Sequence, residues 1–133
     1  MAASGTVGAV AIGGAVGSVS RLLLGAAIQQ RIGTGFPLGT LVINITGSLL
    51  LGFLVRVALD TSAITPTVRA LVTTGFCGGY TTFSTFSYDT ATLLEDGAYL
   101  RATVYVLSSV LLSLVGTFIG VSAARWVLRS VRS

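Results

Sequence analysis

Only 9% of the 133 residues carry charge, so the polar side chains that remain stand out by position, and three groups of them can do chemistry. The stretch GFCGGYTTFSTFS at 75–87 sets Gly75, Gly78 and Gly79 ahead of a row of hydroxyls and two phenylalanines. Each glycine weakens a helix by roughly 1 kcal/mol relative to alanine, so the run favours a local interruption. At membrane depth an interruption frees backbone carbonyls, which persist only when buried in protein or lining a cavity, and which are good cation ligands. Thr81 and Thr82 can add oxygen ligands. Beyond the interruption Phe83 and Phe86 are three residues apart and share a helix face, with Ser84 and Ser87 beside them. A phenylalanine ring has a positive edge that can help solvate an anion, although ordinary packing is the plainer reading of such a pair.

The second group is Thr40, Asn44 and Ser48, spaced four apart and therefore stacked on one helix face. An amide in mid-membrane has to face another helix or water, which fits interhelical adhesion and pathway lining equally well. The third is Tyr105, Ser109 and Ser113, again four apart. A lone serine in a membrane helix usually bonds back to its own carbonyl at i−4. Three hydroxyls in register also suit a small anion in single file, because O–H donors replace water and still release the ion. Arg21, about seven residues inside the end of the first apolar run, either reaches toward the interface or draws anions into a vestibule. Asp89 poses the same choice with opposite sign.

Other chemistries are disfavoured. All eight basic residues are arginine, with no histidine and a single cysteine, so there is no imidazole relay and no second thiolate beside Cys77 for a metal site. Neither a nucleophile–base pair nor a metal-ligand cluster is visible, and an enzyme is not expected. The arginines lie singly between apolar spans and form no basic stripe, which argues against nucleic acid despite a pI near 10.0.

These groups must be held by helices in lipid. An ordinary soluble domain carries roughly 25% charged residues. Here uncharged intervals run from Met1 to Ser20, Ile32 to Val55, Ala70 to Tyr88 and Ala102 to Ala124, each near the roughly 20 residues a spanning helix needs. The expected fold is an all-α membrane protein with one four-helix transmembrane domain over 1–133. The expected helices cover about 5–28, 38–58, 66–94 and 98–124, the third broken at its middle, near 77–81. No basic segment precedes the first apolar run, so it reads as a retained helix, not a signal peptide. Gly13 with Gly17, Ser48 with Gly52, and Gly116 with Gly120 and Ala124 form rows at four-residue spacing that let helix backbones approach closely. Four such thin helices enclose little alone, and oligomerisation is expected. Arginines divide five to three between the two sides, a bias weak enough to permit insertion in both orientations.

Three segments carry a resemblance: GGAVGSVSR at 13–21, GTLVINITGSLLLG at 39–52 and GFCGGYTTFSTFS at 75–87. Their order and spacing resemble those of the Fluc family of small bacterial fluoride channels, and the four-helix pattern extends the likeness over essentially the whole chain. The third segment is highly specific; the first, rich in glycine, is weak alone. The resemblance implies an antiparallel, dual-topology homodimer in a cell inner or plasma membrane, with two fluoride pores at the subunit interface and a central structural sodium ion. It implies that backbone carbonyls of Gly78 and Thr81 bind sodium, that Asn44 lines the pore, that Phe83 and Phe86 form a phenylalanine box with Ser84 beside it, and that Tyr105, Ser109 and Ser113 form a polar track. Arg21 and Thr40 match less tightly, as vestibule residues. Family members often carry glutamate shortly after the box where this chain has Asp89, so the role of an acid there does not transfer directly.

Two other classes compete. A small four-helix proton-coupled multidrug-type exporter would need an acid in the middle of the first helix, and that helix has none. A non-transporting membrane assembly subunit would use the polar rows only as adhesive. The reading favoured is passive fluoride export that lowers internal fluoride, with the bilayer, fluoride and a second copy of the chain as partners.

Overall fold

The computed structural model describes residues 2–133. The chain is helical almost throughout: α1 spans Ala2–Ile32, α2 Leu38–Asp60, α3 Pro66–Ala70, α4 Gly78–Tyr80, α5 Phe83–Glu95 and α6 Tyr99–Arg132, and Leu71–Cys77 joins α3 to α4 as a π-helix. Among the described residues three helices, α1, α2 and α6, are each long and apolar enough to cross a membrane. The segment from Pro66 to Glu95 is divided into pieces, each shorter than a span.

Local chemistry sets the ends. Gly33, at φ 57°, follows α1 in the left-handed conformation that glycine adopts without strain, and its N–H donates to the Gln29 carbonyl at 3.1 Å. Gln29 then clips the connection to α2: its side-chain amide Nε2 donates to the Thr34 and Phe36 carbonyls at 3.1 Å each, and its Oε1 accepts from the Gly39 N–H at 3.2 Å. Pro66 occupies the first turn of α3, where its missing N–H costs nothing, and the Thr65 hydroxyl caps that turn by accepting from Val68 N at 3.2 Å. Gly97, at φ 70°, closes α5: its N–H donates to Leu94 O and that of Ala98 to Leu93 O. This paired closure satisfies two carbonyls that the helix end would leave open.

The helices run longer than the apolar intervals suggest. α6 continues to Arg132 instead of stopping near residue 124, because arginine ends a hydropathy run without opposing helix. At about 1.5 Å per residue its 34 residues reach about 51 Å, well beyond a hydrocarbon core of about 30 Å.

Close packing decides which helices pair. α2 and α6 lie parallel, backbone against backbone: a Cβ placed on Gly120 would sit 2.1 Å from the Leu49 carbonyl oxygen. α1 lies parallel to the π-helix and α4, with Gly13 facing the Leu71 carbonyl and Gly17 that of Phe76. These glycines act by lacking a side chain. Gly78 itself is helical, at φ −64° and ψ −38°, and a Cβ on Gly79 would lie 2.5 Å from the Gly14 carbonyl. The helical hydrogen bonding therefore runs through the glycines, and the extended residues come later, at Thr81 and Thr82.

α5 returns antiparallel to α6. Leu41, Leu93, Ala102 and Tyr105 form a buried cluster there, flanked by Phe36, Leu38, Ile45, Phe86 and Ala98. Arg132 donates to the Asp60 carbonyl at 2.7 Å, so the end of α6 lies beside the end of α2.

Candidate functional site

Thr81 and Thr82 have extended backbones, with φ/ψ of −85°/159° and −152°/114°. Their polar groups are met in two ways. The N–H and hydroxyl of Thr81 both donate to the Cys77 carbonyl, at 3.0 and 2.9 Å. Thr82 is met from α2: its N–H donates to Asn44 Oδ1 at 2.8 Å, and its carbonyl accepts from Asn44 Nδ2 at 3.0 Å. A carboxamide carries the same donor and acceptor as a peptide group, so Asn44 serves as the missing strand partner. Each such group left unpaired in the interior would cost about 1–3 kcal/mol. The same bond diverts the Thr82 N–H from the Gly78 carbonyl, which a continued helix would have assigned to it. Thr82 then starts α5, its hydroxyl accepting from Thr85 N at 3.1 Å.

Around this joint lie two cavities. The inner one, about 410 Å³, is lined by Asn44 and Ser48 of α2, by Thr81, Thr82, Phe83 and Phe86, and by Ser109, Ser113 and Thr117 of α6, with leucine and valine completing the wall. It has no charged residue. Asn44 spends one amide N–H on Thr82 and keeps a second. The Ser109 hydroxyl is buried and has no hydrogen-bond partner, an unusual state for a polar atom that normally finds at least its own helix carbonyl. Phe83 and Phe86 stand with ring centroids 5.5 Å apart at 45°, and Phe83 is 78% exposed, open to whatever lies beside this chain.

The outer cavity, about 610 Å³, is lined by Arg21, Gln29, Thr34, Thr40, Thr82, Thr85 and Asp89 among others. It is the charged one. Arg21 and Asp89 do not pair across it: the one ion pair among the described residues joins Arg56 to Asp60 at 2.8 Å. Asp89 instead accepts from the Tyr105 hydroxyl at 3.1 Å. Thr82 lines both cavities and forms part of the wall between them.

The sequence rows are thus divided by the structure. Asn44, Phe83, Phe86, Ser109 and Ser113 meet at the inner cavity, and Arg21 and Thr40 meet at the outer one. Tyr105 leaves its row. It is fully buried, packs its ring against Phe86 at 5.2 Å and Phe36 at 5.6 Å, and turns its hydroxyl to Asp89, away from the inner cavity. Ser84 is exposed, its hydroxyl 3.2 Å from that of Thr82. Gly78 is also exposed and Thr81 half-buried. Among the described residues no three His, Cys, Asp or Glu side chains converge, so cation binding at this joint would fall to carbonyl and hydroxyl oxygens. The residue most underrated by sequence is Thr82. Its signal is a threonine directly before a renewed helical pattern, the position of an N-cap.

Three helices long and apolar enough to cross a membrane, with an uncharged, hydroxyl- and phenyl-lined cavity beside them, mark the chain as a helical membrane protein. Residues 8–121 match the model of the family described as CrcB-like protein, Camphor Resistance (CrcB), and the chain belongs to that family. A curated relative from Geobacter sulfurreducens is 48% identical over 90% of this chain and 97% of its own length. Relatives from Aquifex aeolicus and Chlorobium chlorochromatii are 44% and 42% identical, over 87% and 89% of this chain and 94% and 91% of their own. All three are named fluoride-specific ion channel FluC, a transporter class and not an enzymatic one.

Proposed function

We propose that this protein is a passive, fluoride-selective channel of a cell membrane that lets fluoride leave the cell, and that the inner cavity is part of its pathway. The observation that carries the reading is the Ser109 hydroxyl: it is buried and unpartnered, on a residue that lines a neutral cavity together with Asn44, which keeps a spare amide N–H, and with Phe83 and Phe86. Fluoride holds its water tightly, and a pathway must replace that water with donors without trapping the ion. Neutral O–H and N–H groups and positive ring edges supply this in graded form. Arg21 in the outer cavity raises the local anion concentration where water is still present, with the Thr40 hydroxyl beside it as a neutral polar group, and the Thr82 wall is the step from the wet cavity to the dry one. Tyr105 acts from behind, holding Phe86 and Asp89.

The working unit is an antiparallel homodimer inserted in both orientations, with two pores. One chain leaves Phe83 bare and offers only one side of the inner cavity, which a second copy completes. The segment from Pro66 to Glu95 makes the fourth crossing as a composite, with the joint at Thr81 and Thr82 at membrane depth. A structural sodium ion fits the carbonyls of Gly78 and Thr81: the Gly78 carbonyl has lost its helical donor, Gly78 faces outward where a second copy would meet it, and hard cations favour oxygen ligands. Bound there, the ion would supply fixed positive charge at the dimer centre.

Efflux from proteoliposomes loaded with fluoride, with a potassium ionophore to compensate charge, tests the passive mechanism. Release should follow the fluoride gradient alone and proceed equally with and without a pH difference. Strict dependence on an imposed proton gradient would overturn the proposal in favour of a coupled exporter.

A further inference from the structure

The face of α6 turned away from Ser109 and Ser113 lines neither cavity. A groove of about 530 Å³ runs along it between Phe118 and Trp126, over Ser122 and Ala123 and beside Val115 and Ile119. These positions recur at intervals of three and four and so form one stripe of the helix. Arg129 continues that stripe, three residues past Trp126 and seven past Ser122, and Arg125 lies one turn before Arg129. The length of α6 carries this end beyond the hydrocarbon, and Trp126, 71% exposed, has the character of a residue at headgroup level.

Asp60 is the acid at this end of the bundle, and it is taken twice, its carboxylate by Arg56 and its carbonyl by Arg132. Arg125 and Arg129 are exposed, and among the described residues neither has an ion-pair partner. A second copy docked face to face here would bury both guanidinium groups against a helix with no acidic residue. We infer that this face binds an anionic phospholipid, one acyl chain along the groove and the phosphate on Arg125 and Arg129. Guanidinium suits this because it pairs with phosphate through parallel N–H donors, and basic residues at a helix end attract anionic headgroups.

Trp126 is the chain's single tryptophan and reports on the site directly. Purified protein is reconstituted in mixed phosphatidylcholine and phosphatidylglycerol vesicles with brominated acyl chains on one lipid or the other, and fluorescence quenching is compared at equal mole fraction. Brominated phosphatidylglycerol should quench more, with a preference on the order of fivefold for each arginine. The preference should fall to parity in the Arg125→Gln/Arg129→Gln variant. Parity in the wild-type protein overturns the inference, as does a preference that the double variant keeps. Quenching by neither lipid means that protein covers the groove, and also overturns it. Should the double variant fail to assemble, wild-type protein at raised ionic strength decides: the preference must shrink, and one indifferent to salt contradicts the assignment.

Discussion

The two cavities that meet at Thr82 are built on opposite principles. The outer one places a full positive charge, Arg21, and a full negative charge, Asp89, around a wide space without letting them pair. The inner one has no charged residue and is lined by an amide, hydroxyls and phenyl rings. The difference follows from solvation. An ion that keeps its water can be gathered by a charge and still leave, whereas an ion stripped of water beside an arginine would be held. On this account charge belongs where water is present and weak donors belong where it is not.

Substitutions can break that contrast at either end. The largest effect is expected at the joint. Asn44→Leu removes the cavity amide and leaves the N–H and carbonyl of Thr82 unpaired, at about 1–3 kcal/mol for each group; fluoride efflux should fall by about a hundredfold or more (about 2.7 kcal/mol), with a lowered melting temperature in detergent. Phe83→Ile removes a ring edge from a side chain that this chain barely packs. Efflux should drop roughly tenfold (about 1.4 kcal/mol) while the dimer persists by size-exclusion chromatography; loss of assembly before loss of flux would assign Phe83 to packing. Ser109→Ala separates function from stability. Flux should fall about fivefold, the value of one hydrogen bond near 1 kcal/mol, while stability holds or rises because an unsatisfied buried hydroxyl has gone. If stability falls instead, Ser109 has a structural partner and the inner cavity loses its best donor. The smallest effect is in the outer cavity. Arg21→Gln should slow efflux about two- to threefold at low ionic strength and have no effect near 1 M salt, since attraction through water is screened.

Much of this was legible in the sequence, and the reasons it was not all legible are physical. Uncharged intervals located α1, α2 and α6, because a span in lipid must be apolar over its length. The end of α6 was misplaced, since arginine halts hydropathy but not helix. Four-residue spacing located the polar rows on helices but not what each side chain meets. Asn44 from one row and Ser109 and Ser113 from the other line the inner cavity, whereas Tyr105 does not, because its hydroxyl lies far enough from the backbone to reach Asp89 on another helix. The glycines of 75–79 show the limit most clearly. Composition made them helix breakers, yet they stay helical, and Gly75 and Gly79 serve as contact surface for α1 while Gly78 faces outward. What ends the helix is a bond made 38 residues away in sequence, between Asn44 and Thr82, and no local pattern contains it.

A neutral, donor-lined cavity should pass fluoride and refuse an anion with weaker hydrogen bonding. Parallel measurement of fluoride and chloride efflux from the same proteoliposomes, with charge compensated, tests it most directly. Fluoride should be lost rapidly and completely with chloride retained; comparable flux of the two anions would rule out selection by such a cavity.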